Sequence, residues 1–143
     1  PDSVAAKNFD IVFFCGGHGT MWDFPDNGRL AAMTSEIYQA GGVVGAVCHG
    51  PAALVDVTLS DGTYLVDGKT VTAFTNEEER ARGLQDVVPF LLESRLRERG
   101  AEFDGAENWQ ENVVVSDRLI TGQNPASARE AALACIRAHK SGK

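Results

Sequence analysis

The sequence predicts an α/β layered fold built on a mostly parallel sheet. Two short apolar runs, Phe9–Phe14 and Val43–Val47, have the character of strands buried on both faces. Strand and helix patterns then alternate along the chain, the order that packs helices against a parallel sheet. Both apolar runs end in turns, Cys15-Gly16-Gly17-His18-Gly19 and Cys48-His49-Gly50-Pro51. Sheets of this kind place their sites at those carboxyl ends of strands.

The elements follow in order. Asn27 to Ala40 has helical spacing, with Leu30, Met33, Ile37 and Tyr38 on one side, and Gly41-Gly42 stops it. After Val43–Val47 comes the Cys48 turn, and Ala52 to Val57 starts a helix that Pro51 suits by its place at the entry. Asp61-Gly62 and Asp67-Gly68 are turn signals within an antiparallel-looking patch. Thr70–Phe74 is the next strand. Asn76-Glu77-Glu78-Glu79 opens a helical stretch with its acids at the favourable end. Val87 to Arg99 is amphipathic, with Val88, Leu91, Leu92 and Leu96 inward, and Gly100 stops it. Asn112–Val115 and Leu119–Thr121 flank a turn at Ser116-Asp117-Arg118, and Pro125 to Ala138 is the last helix.

Bulk properties narrow the function. The 143 residues suit one domain with a core of its own. With 13 basic and 20 acidic residues the net charge is −7, and no basic stripe exists. A nucleic-acid or anionic-membrane partner is excluded on that ground, and no apolar run reaches the roughly 20 residues of a membrane helix. Cys15, Cys48 and Cys135 are odd in number, widely spaced and free of any CxxC, so a reducing, cytoplasmic setting is expected.

Cys48 carries the chemistry. A cysteine on a tight turn between a buried strand and a helix start is pushed up out of the sheet, as in a nucleophile elbow. The N–H groups and positive potential of the helix start favour the thiolate. The same donors can hold an oxyanion, with the His49 N–H and Gly17 as the candidates. His49 is the candidate base. His18, in the glycine loop, is either locally satisfied or part of the site. Cys15 and Cys135 read as core filler, and His139 as a favourable placement at a helix C-terminus. A base histidine needs an orienting carboxylate. Of Glu77, Glu78 and Glu79, one is expected to face the pocket and two to face solvent. A metal site from His18, Cys48, His49 and a glutamate lacks the usual ligand spacing, so none is expected.

The segments Gly16-Gly17-His18-Gly19-Thr20-Met21-Trp22-Asp23, Ala46-Val47-Cys48-His49-Gly50-Pro51 and Thr121-Gly122-Gln123-Asn124-Pro125-Ala126-Ser127-Ala128 resemble the ThiJ/PfpI superfamily, of the class I glutamine amidotransferase-like kind. Together with Gly68-Lys69 and Phe74–Glu79 they resemble its branch of heat-shock-associated chaperones with glyoxalase III activity. The resemblance runs from Phe9 to about Ala138. It implies a flavodoxin-like three-layer sandwich and a triad of Cys48, His49 and Glu79, with Glu78 second for the acid. Gly17, His18, Gly50 and Asn124 would line the oxyanion and substrate position. No cofactor is implied.

The activity implied is conversion of methylglyoxal and related 2-oxoaldehydes to 2-hydroxy acids without glutathione, through a hemithioacetal on Cys48. Rival readings from the same resemblance are a stress-response holdase, a protein deglycase or redox sensor acting on misfolded or glycated proteins, and a cysteine peptidase or amidase. A homodimer is the expected assembly. Two departures stand out. Cys15 occupies a position where the family usually has proline. The family also opens with a strand-helix-strand unit of at least about 30 residues, which supplies a glutamate to the cysteine. The chain is therefore expected to be a single ThiJ/PfpI-like domain, 1–143, incomplete at its N-terminus, with that segment as a natural partner.

Overall fold

The structure is a computed structural model and describes residues 3–142. In chain order the elements are β1 (Ile11–Phe14), α1 (Thr20–Asp23), α2 (Gly28–Gln39), β2 (Val43–Val47), β3 (Thr70–Val71), α3 (Asn76–Arg82), α4 (Leu92–Glu98), β4 (Glu102–Phe103), β5 (Val113–Ser116), β6 (Leu119–Gly122) and α5 (Ala128–Ser141). Short 3-10 turns lie at Ala6–Asn8, Gly50–Leu54 and Pro125–Ser127.

The main sheet has the order β1-β2-β6-β5. Its first three strands are parallel, and β5 returns antiparallel to β6 through the Ser116–Arg118 turn. The alternation of side chains along β2 explains the layers. Val44 and Ala46 join Tyr38, Leu54, Leu65 and Leu96 in the larger core. Val43 points the other way, into a smaller core with Ile120, Ala131, Ala134 and Cys135 beneath α5. The result is a mixed α/β sandwich with β2 buried at every residue. Among the described residues, no helix is long and apolar enough to cross a membrane.

Several expected elements are shorter, for local reasons. Thr70–Phe74 pairs only over Thr70–Val71, against β4. Beyond it the chain turns its donors elsewhere: Thr72 N–H to Thr121 Oγ1 and Phe74 N–H to the Cys48 carbonyl. The amphipathic segment from Val87 does not become one helix to Arg99. Pro89 has no N–H to continue it, Leu91 is extended, and α4 begins at Leu92. Val87 is consequently exposed, while Val88, Leu92 and Leu96 are buried. After Pro51 the chain forms a wholly buried 3-10 turn rather than a longer α-helix. α2 starts where the sequence puts it, with Asn27 Oδ1 accepting from Leu30 N–H. Cys135 is buried, but Cys15 is exposed and fills no core.

Gly50 is held by close packing. A methyl group built there would run into the Phe14 carbonyl, a backbone group that cannot swing aside. Gly50→Ala should therefore destabilise the protein by about 3 kcal/mol or more, at the upper end of overpacking costs. Denaturant unfolding of the variant measures it, and an unchanged midpoint would contradict the packing.

Candidate active site

Four segments converge at the carboxyl end of β2. Cys48 ends that strand with φ of 63°, the left-handed region in which a non-glycine residue is strained. The surroundings hold it there. Its N–H donates to the Gly122 carbonyl at 2.9 Å, and its carbonyl accepts from Phe74 N–H at 2.9 Å. The turn lifts the side chain out of the sheet, leaving the residue 9% exposed. The glycine loop after β1 comes alongside, and Thr20 ties the two together by donating to both the Gly17 and His49 carbonyls. Gly17 adopts φ of 117°, which a side chain would strain. The backbone N–H groups of His49 and Gly17 both pull the Cys48 thiol pKa down. They are the two donors expected to form the oxyanion position.

His49 lies fully buried, with Nδ1 3.5 Å from Cys48 Sγ and Nε2 2.8 Å from Glu79 Oε2. An ionised carboxylate only accepts, so neutral His49 carries its proton on Nε2. Nδ1 is then a free acceptor facing the thiol. Phe74 packs 4.3 Å from the imidazole, ring to ring. The other Glu79 oxygen, Oε1, is 2.6 Å from His18 Nε2. The His18 ring sits 4.0 Å from that of His49 and meets Phe74 edge-on. With its side chain 31% exposed, His18 is the solvent-facing member of the set. One donor atom each from His18, His49 and Glu79 lies within 4.8 Å of the others.

Burial governs the charges. It pushes the Cys48 thiol above its ordinary value, against the pull of the His49 and Gly17 N–H groups. It likewise pushes His49 down, against the Glu79 hydrogen bond. Both directions favour the uncharged pair, a thiol beside a neutral imidazole. The expectation that the turn favours the thiolate is corrected: desolvation outweighs the backbone donors.

The acidic run also departs from expectation. Glu77 is exposed, but Glu78 and Glu79 are both buried. Glu78 accepts from the N–H and hydroxyl of Thr75, from Trp109 N–H and from Asn124 Nδ2. Its own N–H donates to Thr75 Oγ1, completing a capping box. The Thr75-x-x-Glu78 spacing is the sequence signal for this, and it reveals that Glu78 turns back along the helix while Glu79 turns to the histidines. Asn124 is fully buried and committed: Nδ2 donates to Glu78 and to the Gln110 carbonyl, and Oδ1 accepts from Ser127. It braces Glu78 and the loop at Gln110 rather than facing a ligand. Gly50 likewise packs against Phe14. Trp109, which the sequence did not single out, has φ of 65° and half-exposes its ring between Phe74 and Arg82.

The DJ-1/PfpI family signature matches residues 2–138, and the chain belongs to that family. It is 37% identical over 146 residues to the glutathione-independent glyoxalase HSP31 of Saccharomyces cerevisiae, covering 98% of this chain and 62% of that protein. It is 40% identical over 153 residues to the glutathione-independent glyoxalase hsp3101 of Schizosaccharomyces pombe, covering 98% and 61%. Among solved structures, Rapid Encystment Protein 24 KDa of Francisella tularensis superposes with a TM-score of 0.94 at 45% identity, covering 96% of this chain and 61% of the other. Glyoxalase III of Candida albicans gives 0.91 at 33%, covering 96% and 60%. The chain thus spans about three fifths of the length of these relatives.

Two predictions come from the electrostatics. Brief iodoacetamide treatment near neutral pH should label exposed Cys15 first and Cys135, whose thiol burial raises to about 11, last. The rate at Cys48 should climb through the alkaline range, and a plateau below pH 7 by peptide mapping would contradict a neutral resting thiol. Stability should fall on both sides of neutrality. Below about pH 6.5 the unfolded His49 binds a proton that the folded one refuses. Above about pH 8.5 the unfolded Cys48 releases one that the folded thiol keeps. Melting temperature against pH checks this, with the acid arm reduced in His49→Gln.

Proposed function

We propose that the protein is a glutathione-independent glyoxalase that converts 2-oxoaldehydes to 2-hydroxy acids on Cys48. The observation that carries this is the aligned series Cys48 Sγ, His49 Nδ1, His49 Nε2 and Glu79 Oε2. The glyoxalase relatives support the substrate class.

Chemistry follows from the geometry. His49 Nδ1 takes the thiol proton as sulfur attacks the aldehyde carbon, and Glu79 stabilises the imidazolium that forms. The aldehyde oxygen becomes an alkoxide beside the Gly17 and His49 N–H groups and is protonated to a hemithioacetal. Removal of the proton on that carbon and its return to the neighbouring carbonyl carbon, through an enediol, gives the thioester of the 2-hydroxy acid. Water releases the acid and restores the thiol. The sum is one 2-oxoaldehyde plus one water giving one 2-hydroxy acid. A neutral resting thiol suits this order, because charge arises only as substrate arrives. Three free cysteines fit a reducing, cytoplasmic compartment.

Cys48→Ala should abolish methylglyoxal turnover while leaving the circular dichroism spectrum unchanged. Glu79→Gln should lower turnover about 10²–10⁴-fold, the range of a general acid-base contribution. Glu77→Gln, at the exposed position, should leave it near wild type. Activity surviving in Cys48→Ala would sink the covalent route. Equal rates in the two glutamate variants would remove Glu79 from it.

A further inference from the structure

Glu79 stands between two imidazoles that arrive from different segments of chain. His18 comes from the loop after β1, His49 from the turn after β2, and Glu79 from the first turn of α3. Their donor atoms lie within 4.8 Å of one another. Two histidines and one carboxylate around a single point, with one side open, are a donor set that zinc-like ions take. We propose that His18, His49 and Glu79 bind a divalent transition-metal ion of the Zn²⁺ type, and that the bound ion silences Cys48.

The surroundings fit an ion. Donors on neighbouring corners of a tetrahedral zinc shell sit roughly 3.3 Å apart, for bonds of about 2.0–2.1 Å. The 2.6 and 2.8 Å contacts to Glu79 therefore need to open by about half an ångström. His18 can provide that motion, since its side chain is partly exposed on a glycine-flanked loop, and the same exposure gives the ion a way in. Burial keeps His49 uncharged, and a neutral imidazole is the form that ligates a metal ion. With the His18 side chain 31% exposed, solvent can supply the fourth ligand. Cys48 is no ligand, because its sulfur lies against Nδ1, across the ring from Nε2.

Silencing follows from the tautomer. An ion on Nε2 displaces the proton that Glu79 accepts there, and neutral His49 carries it on Nδ1 instead. Nδ1 then points a donor at the thiol and can no longer take its proton. Nothing is oxidised, and the sulfur keeps its hydrogen. The binding stands independently of the glyoxalase reading; the silencing rests on it.

The test is a titration of chelator-treated protein with Co²⁺ and then Zn²⁺. One equivalent of Co²⁺ should give the visible bands of a four-coordinate ion without a thiolate charge-transfer band, and Zn²⁺ should displace it. His18→Asn should weaken both ions by at least about tenfold, the loss seen even for outer-shell partners. On the unmodified protein, Zn²⁺ should protect His18 but not His139 from diethylpyrocarbonate, which covers the case of a variant that fails to fold. Zn²⁺ should stop methylglyoxal turnover, and EDTA should restore it. Absence of binding, binding indifferent to His18→Asn, or a thiolate band would overturn the site. Binding without loss of turnover would overturn the silencing alone. A protein inactive before any metal is added would instead count against the glyoxalase reading while leaving the binding result intact.

Discussion

The Glu79 carboxylate accepts a hydrogen bond at each oxygen, from His49 on one side and His18 on the other, while itself almost fully buried. A buried carboxylate is costly unless every lone pair has a partner. The rest of the site follows from that constraint. It fixes the His49 tautomer, and so decides that the thiol meets an acceptor. It draws the His18 loop over the elbow. Phe74 packs on the His49 ring, and both His49 and Glu79 are buried from solvent. The segment bearing Glu79 is in turn docked on the elbow itself, through Phe74 N–H to the Cys48 carbonyl. Cys48, His49 and Glu79 are therefore fixed relative to one another by backbone as well as by side chains.

Glu78 serves a separate purpose. Its oxygens gather Thr75, Asn124 and Trp109, three segments far apart in sequence. Adjacent residues on one helix turn thus carry two buried carboxylates aimed in different directions. One reaches the histidines and the other secures the wall around them. Trp109 sits in an unfavourable backbone region, and such strain persists where neighbours over-determine it. The Glu78 acceptor is the neighbour that does so here.

Much of the fold was legible in the sequence because its signals are local. Val43–Val47 is apolar throughout and proved buried at every residue, and Asn27 capped the helix that its position suggested. The Cys48 turn was legible because a strand, a cysteine, a glycine and a proline occur together. Other features depend on partners distant in sequence. Nothing near Thr72 reveals that its N–H goes to Thr121 and ends the strand pairing. Desolvation of Cys48 is set by everything packed around it, so reading the helix start alone gave the wrong direction. Cys15 looked like filler because strand ends often are, yet it is exposed. Convergence of His18 on Glu79, 61 positions away, was invisible to spacing.

The elbow strand pairs with β6, and that ladder joins Val44 to Leu119 and Val47 to Gly122. These partners lie 75 positions apart, so during synthesis β2 emerges long before the strand that flanks it. At about 5–20 residues per second the nascent chain spends several seconds with an apolar strand edge unpaired. Cys48 acquires its Gly122 contact only after β6 has also been made. The Cys48 turn is consequently assembled well after its own residues are made, and a chain that stops short of β6 carries an ordinary cysteine in its place.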